Sequence, residues 1–266
     1  MQTLRFSSIQ AANADPDCAA IARHIGAQLQ MPVEFVAPEA WQAREQAFDA
    51  GEVQACWMCG AVYVRKLDRA EGGVELLAAP VMSAPRYENR PIYFSDVVVR
   101  ADSGFRAFED LRGASWAYNE PNSHSGYGVT RWYLASRGYG SGFFGRVVGS
   151  GAHQRSLQLV LAGAVDASAI DSTVLETELA RRPELAARLR IVETFGPSPI
   201  PPWVTHQSLP AELKAGLRRA FAGMQADETG RTILSAGRID HFAGVTDSDY
   251  DPLRQMARLA ASVSLP

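Results

Sequence analysis

The sequence predicts an α/β protein of two lobes, each a mainly parallel sheet flanked by helices. Strand and helix patterns alternate from the start of the chain, the rhythm of parallel strands joined by crossover helices. A second alternating set begins near Tyr93. Later, Gly196-Pro-Ser-Pro-Ile-Pro-Pro is too rich in proline for a helix or an inner strand. A chain that builds one lobe, crosses into a second and returns through the proline segment accounts for both joints. The expected lobes are residues 1–92 with 200–266, and residues 93–199. Two extended crossings would form a hinge, with a ligand cleft where the open ends of the sheets meet.

Taken in order, Leu4–Ile9 reads as a strand and Asp15–Leu29 as an amphipathic helix opened by Asp15-Pro16. Met31–Phe35 reads as a strand, Ala40–Ala50 as a helix closed at Gly51, and Val53–Met58 as a buried strand. Ile92–Val99 is the next strand, followed by a short helix in Ser103–Leu111 and the strand Ala114–Tyr118. A polar, glycine-containing loop, Asn119–Gly126, leads into a helix running to about Ser136. Val147-Val148, the helix His153–Ala162 and the strand Val165–Ile170 complete the second set. Helices at Ala211–Ala226, Glu228–Ala236 and Asp251–Ser262 close the chain.

Composition narrows the function. Apolar residues make up 47% and charged residues 21%, with a net charge of −3. No Lys/Arg block is present, which argues against a partner that presents a phosphate backbone. The longest apolar stretch, Ser156–Ile170, is interrupted by Gln158, Gly163 and Asp166, so no membrane span is expected. The first residues show no basic segment followed by an apolar one, so no export signal is read there. That leaves two expectations: a periplasmic protein whose leader has been removed, or a cytoplasmic one.

The stretch that carries chemistry is Trp116-Ala-Tyr-Asn-Glu-Pro-Asn-Ser-His-Ser-Gly-Tyr-Gly. A strand runs into a loop of hydroxyls and glycine and then into a helix. Unpaired backbone N–H groups at a helix start, with the Ser123 and Ser125 hydroxyls, make an anion site that needs no basic residue. Gly126 would let the backbone approach a ligand oxygen closely. The same pattern also describes an ordinary serine N-cap that binds nothing.

Further residues give the pattern a context. They are Tyr93-Phe-Ser-Asp-Val-Val-Val-Arg, Asp102-Ser-Gly, Phe108-Glu-Asp-Leu-Arg-Gly, Asn122-Ser-His-Ser-Gly-Tyr, Gly149-Ser-Gly-Ala-His, Gly163-Ala-Val-Asp-Ala-Ser-Ala-Ile-Asp and Asp249-Tyr-Asp-Pro. In order and spacing, from about Asp49 to Pro252, the chain resembles the phosphonate/phosphite/phosphate-binding proteins of ABC importers. The resemblance implies the two-lobed type II periplasmic-binding-protein fold and a small anionic ligand. Ser123 to Gly126 would hold the anionic head and His153 would donate to it. Tyr93 would contact the ligand at the first crossover, and Asp171 would point into the cleft from the end of its strand. Trp57 and Met58 would line the rest, with Asn13 beside them. Read without the family, His153 is a capping or surface histidine and Asp171 an N-cap for a helix starting near Ser172.

Three departures separate this chain from the family pattern. His124 stands where a small hydroxyl is usual, and Met58 stands where an aromatic is usual. The crossover Gly196–Pro202 has no acid to pair with an amine-bearing ligand, which argues against aminoethylphosphonate. Cys56-Trp-Met-Cys59 has redox or zinc spacing. Only Cys18 remains as a further cysteine, so packing cysteines are expected and no metal. No nucleophile elbow, Walker loop or dinucleotide fingerprint is present, so no catalytic residue and no cofactor is assigned. The expected partners are the anion and an ABC permease, with the protein a monomer and no nucleic acid bound. The competing readings are a cytosolic enzyme or a ligand-sensing module on the same fold.

Overall fold

A computed structural model describes residues 3–38, 40–70 and 73–265. The chain divides into two compact units. One runs through Ile92 and resumes at Pro199–Asp251; the other is Tyr93–Ser198 with the residues from Pro252 onward.

The first unit carries β1 (Leu4–Ser8), α1 (Asp15–Leu29), β2 (Val33–Phe35), α2 (Trp41–Asp49), β3 (Ala55–Trp57), α3 (Gly60–Asp68) and β4 (Val74–Met82). After the return come β10 (Trp203–His206), α7 (Ala211–Gly223), α8 (Glu228–Ala236) and β11 (Ile239–Ala243). Its sheet has the order β11-β4-β10-β3-β1-β2. β1 runs parallel to β2 and β3, whereas β10 runs antiparallel to β3 and β4, and β11 antiparallel to β4.

Helix α1 forms where Asp15, Pro16 and Asp17 suit a first turn, and it ends at Gln30 in a left-handed conformation. Its buried face, Cys18, Ile21, Ala22 and Ile25, follows the helical repeat. Phe6, Trp203, Phe221 and Phe242 form a chain of ring contacts through the core of this unit.

The second unit carries β5 (Ile92–Arg100), β6 (Ser115–Tyr118), α4 (Val129–Ser136), β7 (Arg146–Gly149), α5 (His153–Leu161), β8 (Ala167–Asp171), α6 (Ser172–Arg181) and β9 (Leu189–Pro199). Its sheet order is β7-β6-β8-β5-β9. β6 is parallel to β7 and β8, and β5 is antiparallel to β8. The core is aromatic: Phe108 lies against Tyr133, Phe143, Phe144 and Phe195, and Trp116 stacks on Phe144 with centroids 4.4 Å apart.

Two sequence expectations need correction. Both sheets are mixed rather than mainly parallel. In the first unit the chain departs beyond the C-terminal end of β4 and returns beside that departure, with the Ile200 N–H donating to the Pro91 carbonyl at 3.0 Å. A strand that re-enters at the end where its predecessor left must run the opposite way. The second correction concerns the end of the chain, which the sequence assigned to the first lobe. α9 (Asp251–Ala260) leads instead into the second unit, where Val263 and Leu265 join the aromatic core. Arg131 fixes it there, its guanidinium donating to the Ala260 and Val263 carbonyls at 2.9 and 2.5 Å.

Five elements were not legible in the sequence: β4, α3, β9, β10 and β11. Pro80 argues against an inner strand, yet β4 lies between β10 and β11. The ladder accommodates it with register shifts on both sides, between Trp203 and Val204 and between Ile239 and His241. α3 starts at Cys59 without a side-chain cap, so its start signal is missing. β10 and β11 are short and gain their pairing only inside the sheet. β3 also stops at Trp57, short of the expected Met58, and Cys59 instead opens α3.

Candidate functional site

Within the second unit, β6 ends at Tyr118 and the chain turns through Asn119–Asn122 into a single wide helical turn, His124–Gly128, that continues as α4. The turn is π-helical: the Gly128 N–H donates to the Ser123 carbonyl at 3.0 Å, and the Val129 N–H donates to the His124 carbonyl. Ser123 is extended and its hydroxyl accepts from the Gly126 N–H at 3.2 Å, an N-cap in the ordinary sense. Its oxygen also lies 3.4 Å from the Ser125 hydroxyl.

α5 brings His153 against this turn. His153 Nε2 lies 2.8 Å from Ser125 Oγ, and the imidazole is 5% exposed. Its other nitrogen, Nδ1, is buried without a hydrogen-bond partner. Burial pushes its pKa down to about 3, so the ring is neutral at physiological pH. His124 is also buried and neutral, with its pKa lowered by burial to about 4. Its Nε2 lies 2.9 Å from the Ser198 hydroxyl, and its ring centroid lies 6.4 Å from that of Tyr93. Ser123, His124, Ser125, Gly126, His153 and Tyr93 therefore belong to one cluster inside one unit.

Packing by itself calls for glycine at position 126. A Cβ there would lie 1.9 Å from Asn119 Oδ1 and 3.2 Å from His153 Cε1. Asp171, at the end of β8, accepts from the Thr173 N–H and hydroxyl at 2.8 and 2.7 Å, so it caps α6. Burial raises its pKa to about 6, partly offset by these hydrogen bonds.

Trp57 and Met58 lie in the first unit and are buried there. Trp57 stacks on Trp203 with centroids 6.3 Å apart and donates from Nε1 to the Pro201 carbonyl at 2.8 Å. Asn13 is buried in the short turn after β1. Cys18 and Cys56 are fully buried, and burial raises the Cys56 thiol pKa to about 12, the state of a packing cysteine. Among the described residues no group of three or more His, Cys, Asp or Glu side chains is arranged to hold a metal ion, and no helix is long and apolar enough to cross a membrane.

Two members of the cluster were missed in the sequence. Asn119 stood inside the motif but had no pattern of its own. Ser198 lies in the proline segment, where its only signal was the absence of an acid.

A substrate-binding protein of the transporter type is the class that this fold and polar turn define. Residues 6–250 match the family of periplasmic substrate-binding proteins of phosphonate ABC transporters, and the chain belongs to that family. Solved structures agree on the fold. The chain is similar to a binding-protein component of an ABC phosphonate transporter from Pseudomonas aeruginosa, with 20% identity over 97% of this chain and 86% of that one, TM-score 0.85. It is also similar to PhnD1 from Prochlorococcus marinus in complex with methylphosphonate, with 17% identity over 98% and 99% of the two chains, TM-score 0.85. A Xanthomonas citri protein bound to ATP matches with 14% identity over 98% and 97%, TM-score 0.76.

Proposed function

We propose that this protein captures a small phosphorus oxyanion, of the phosphonate, phosphite or phosphate type, and delivers it to the permease of an ABC importer on the outer side of the membrane. The observation that carries this reading is the Ser123–Ser125 turn with His153 on the Ser125 hydroxyl. Backbone N–H groups and two hydroxyls converge there, and donors of this kind hold an anion. Burial alone sets the pKa values of His124 and His153, with no charged side chain contributing. Affinity would therefore come from oriented neutral donors rather than from a paired cation. Membership of the family supports the importer role.

A Ser–His contact of 2.8 Å also has the outline of a nucleophile and its base. Two features argue against an enzyme. The base of such a pair is oriented through its second nitrogen, and Nδ1 of His153 has no partner. A ring whose pKa is near 3 is also a weak proton acceptor at neutral pH.

The test is a thermal-shift series with phosphate, phosphite, methylphosphonate, aminoethylphosphonate, sulfate and small carboxylates, repeated on Ser125→Ala and His153→Ala. A true ligand at about one hundred times its Kd stabilises the protein by about 2.7 kcal/mol. The reading predicts stabilisation by a phosphorus oxyanion that both variants lose. No shift with any anion overturns it.

A further inference from the structure

The neutral His153 ring carries one proton for two nitrogens, and its contacts assign that proton. Nε2 lies 2.8 Å from Ser125 Oγ, whereas Nδ1 is buried without a hydrogen-bond partner. A buried N–H without an acceptor is rarer than an under-used lone pair, so the proton sits on Nε2. Nε2–H then donates to Ser125 Oγ, and the Ser125 O–H is left free to donate to a ligand. Nδ1 presents a bare lone pair.

The groups around that lone pair are donors. Nδ1 is the ring nitrogen nearer the main chain, so it lies at the start of α5. The His153, Gln154 and Arg155 N–H groups there have no acceptor among the described residues, and Ala152 at the N-cap supplies none from its side chain. The other unpartnered buried side-chain acceptor beside the turn, Asn119 Oδ1, rests against the Cα of Gly126, where a weak C–H contact serves it. An oxyanion made only of lone pairs would satisfy the donors and set an oxygen lone pair against Nδ1. An oxyanion that keeps a hydrogen satisfies both.

We propose that the site selects an oxyanion that keeps a proton: its ionised oxygens accept from the neutral donors around Ser125, and its P–OH donates to Nδ1 of His153. The inference rests on the anion-binding reading above and narrows its ligand class. Phosphate fits, as do the monoanions of phosphite and methylphosphonate. Sulfate, similar in shape but without a hydrogen at neutral pH, does not. His153 is the specificity-determining residue, and its ring stays neutral throughout. Burial makes that ring a poor base, so the proton remains on the ligand.

α5 packs against β6 and β8. The titratable groups of these elements near the site are Tyr118 on β6, Asp171 on β8, Arg155 on α5 itself, and His124 and Tyr127 in the turn. Their titration acts on every anion of the same charge alike. A comparison between such anions therefore isolates the ligand's own hydrogen.

The experiment is calorimetric titration of the whole protein with phosphate, fluorophosphate, sulfate and methylphosphonate from about pH 6 to about pH 9. Phosphate keeps a P–OH across that range and is the reference. Fluorophosphate matches the phosphate dianion in charge and shape but has fluorine in place of the hydroxyl. It and sulfate should bind about tenfold or more weakly than phosphate. Methylphosphonate loses its P–OH within the range, so its affinity relative to phosphate should fall about tenfold per pH unit above that ionisation. His153→Gln retains a donor for Ser125 and lacks Nδ1. Its phosphate-to-fluorophosphate ratio should fall toward one, whereas lost packing alone would weaken both anions equally. Equal wild-type affinity for phosphate and fluorophosphate overturns the proposal, as does an unchanged ratio in His153→Gln. If methylphosphonate binds and phosphate does not, the pH slope decides, and a flat one overturns the proposal. Failure of phosphate, phosphite and methylphosphonate to bind at all overturns the anion-binding reading and this proposal with it, an outcome distinct from tight binding that ignores the ligand's hydrogen.

Discussion

His124 and Ser198 are hydrogen-bonded at 2.9 Å although 73 residues separate them in the chain, which ties the turn after β6 to the end of β9. Both side chains are buried, so neither can exchange the bond for water. Ser198→Ala should leave a ring nitrogen unsatisfied and cost about 1–3 kcal/mol in urea denaturation. A double-mutant cycle with His124→Ala should show a coupling of about 0.5 kcal/mol or more, and additive losses would show that the contact carries no energy.

Gly126→Ala puts a methyl group 1.9 Å from Asn119 Oδ1 and 2.9 Å from its Cγ. The side chain or the turn must shift, at a cost of about 1–3 kcal/mol for an overpacked site. Oxyanion affinity should fall with it, because the turn's donors move together. Asn119→Ala in the same chain should restore most of the thermal stability. Persistence of the full loss in that double variant would place the strain elsewhere.

Acid should destabilise the protein before its carboxylates titrate in bulk. His124 and His153 have folded pKa values of about 4 and about 3, below the ordinary 6.5, so the unfolded chain binds more protons across that window. Stability falls as pH drops below 6.5. Asp171 works in the opposite sense: its folded value of about 6 exceeds 3.8, so its contribution is present at low pH and is lost as pH rises from about 4 to 6. Two histidines outweigh one carboxyl, and the net loss from pH 6.5 to 4.5 should be on the order of 2–3 kcal/mol. Melting temperatures across that range test this. A flatter profile is expected for His124→Gln with His153→Gln.

Arg44 holds the start of α1 in the first unit. Its guanidinium is bidentate to Asp15 at 2.8 and 2.9 Å and also donates to the Ser8 and Pro38 carbonyls at 2.8 and 2.6 Å. Arg44 is 5% exposed, and removing it strands the Asp15 charge and two carbonyls. Arg44→Ala should cost about 3–5 kcal/mol by chemical denaturation. Arg44→Lys should recover only part of that, since a single ammonium cannot reproduce the fork. Near-wild-type stability of Arg44→Ala would show that the network carries little energy.

Legibility followed the range of the interactions involved. α1 was readable because its capping residues and buried stripe are local. The Ser123–Gly126 turn was readable because the order of strand, hydroxyls, glycine and helix is local as well. β4 was not, since Pro80 contradicts an inner strand on any local rule and only the register shifts of its two neighbours make room for it. Asp171 was read both ways, as a helix cap and as a cleft residue; its side chain caps α6 in the structure.

The sequence by itself determined the class of fold, the family and the loop that carries the polar turn, because hydrophobic period, caps and motif spacing are written in neighbouring residues. Only the tertiary structure decided the rest. The return of the chain beside its own departure set the strand directions. The packing of Val263 and Leu265 gave the end of the chain to the second unit. The close approach of Asn119 and His153 to Gly126 fixed the chemistry of the turn. Each is a contact between residues far apart in the chain, and its energy exists only after burial has brought them together.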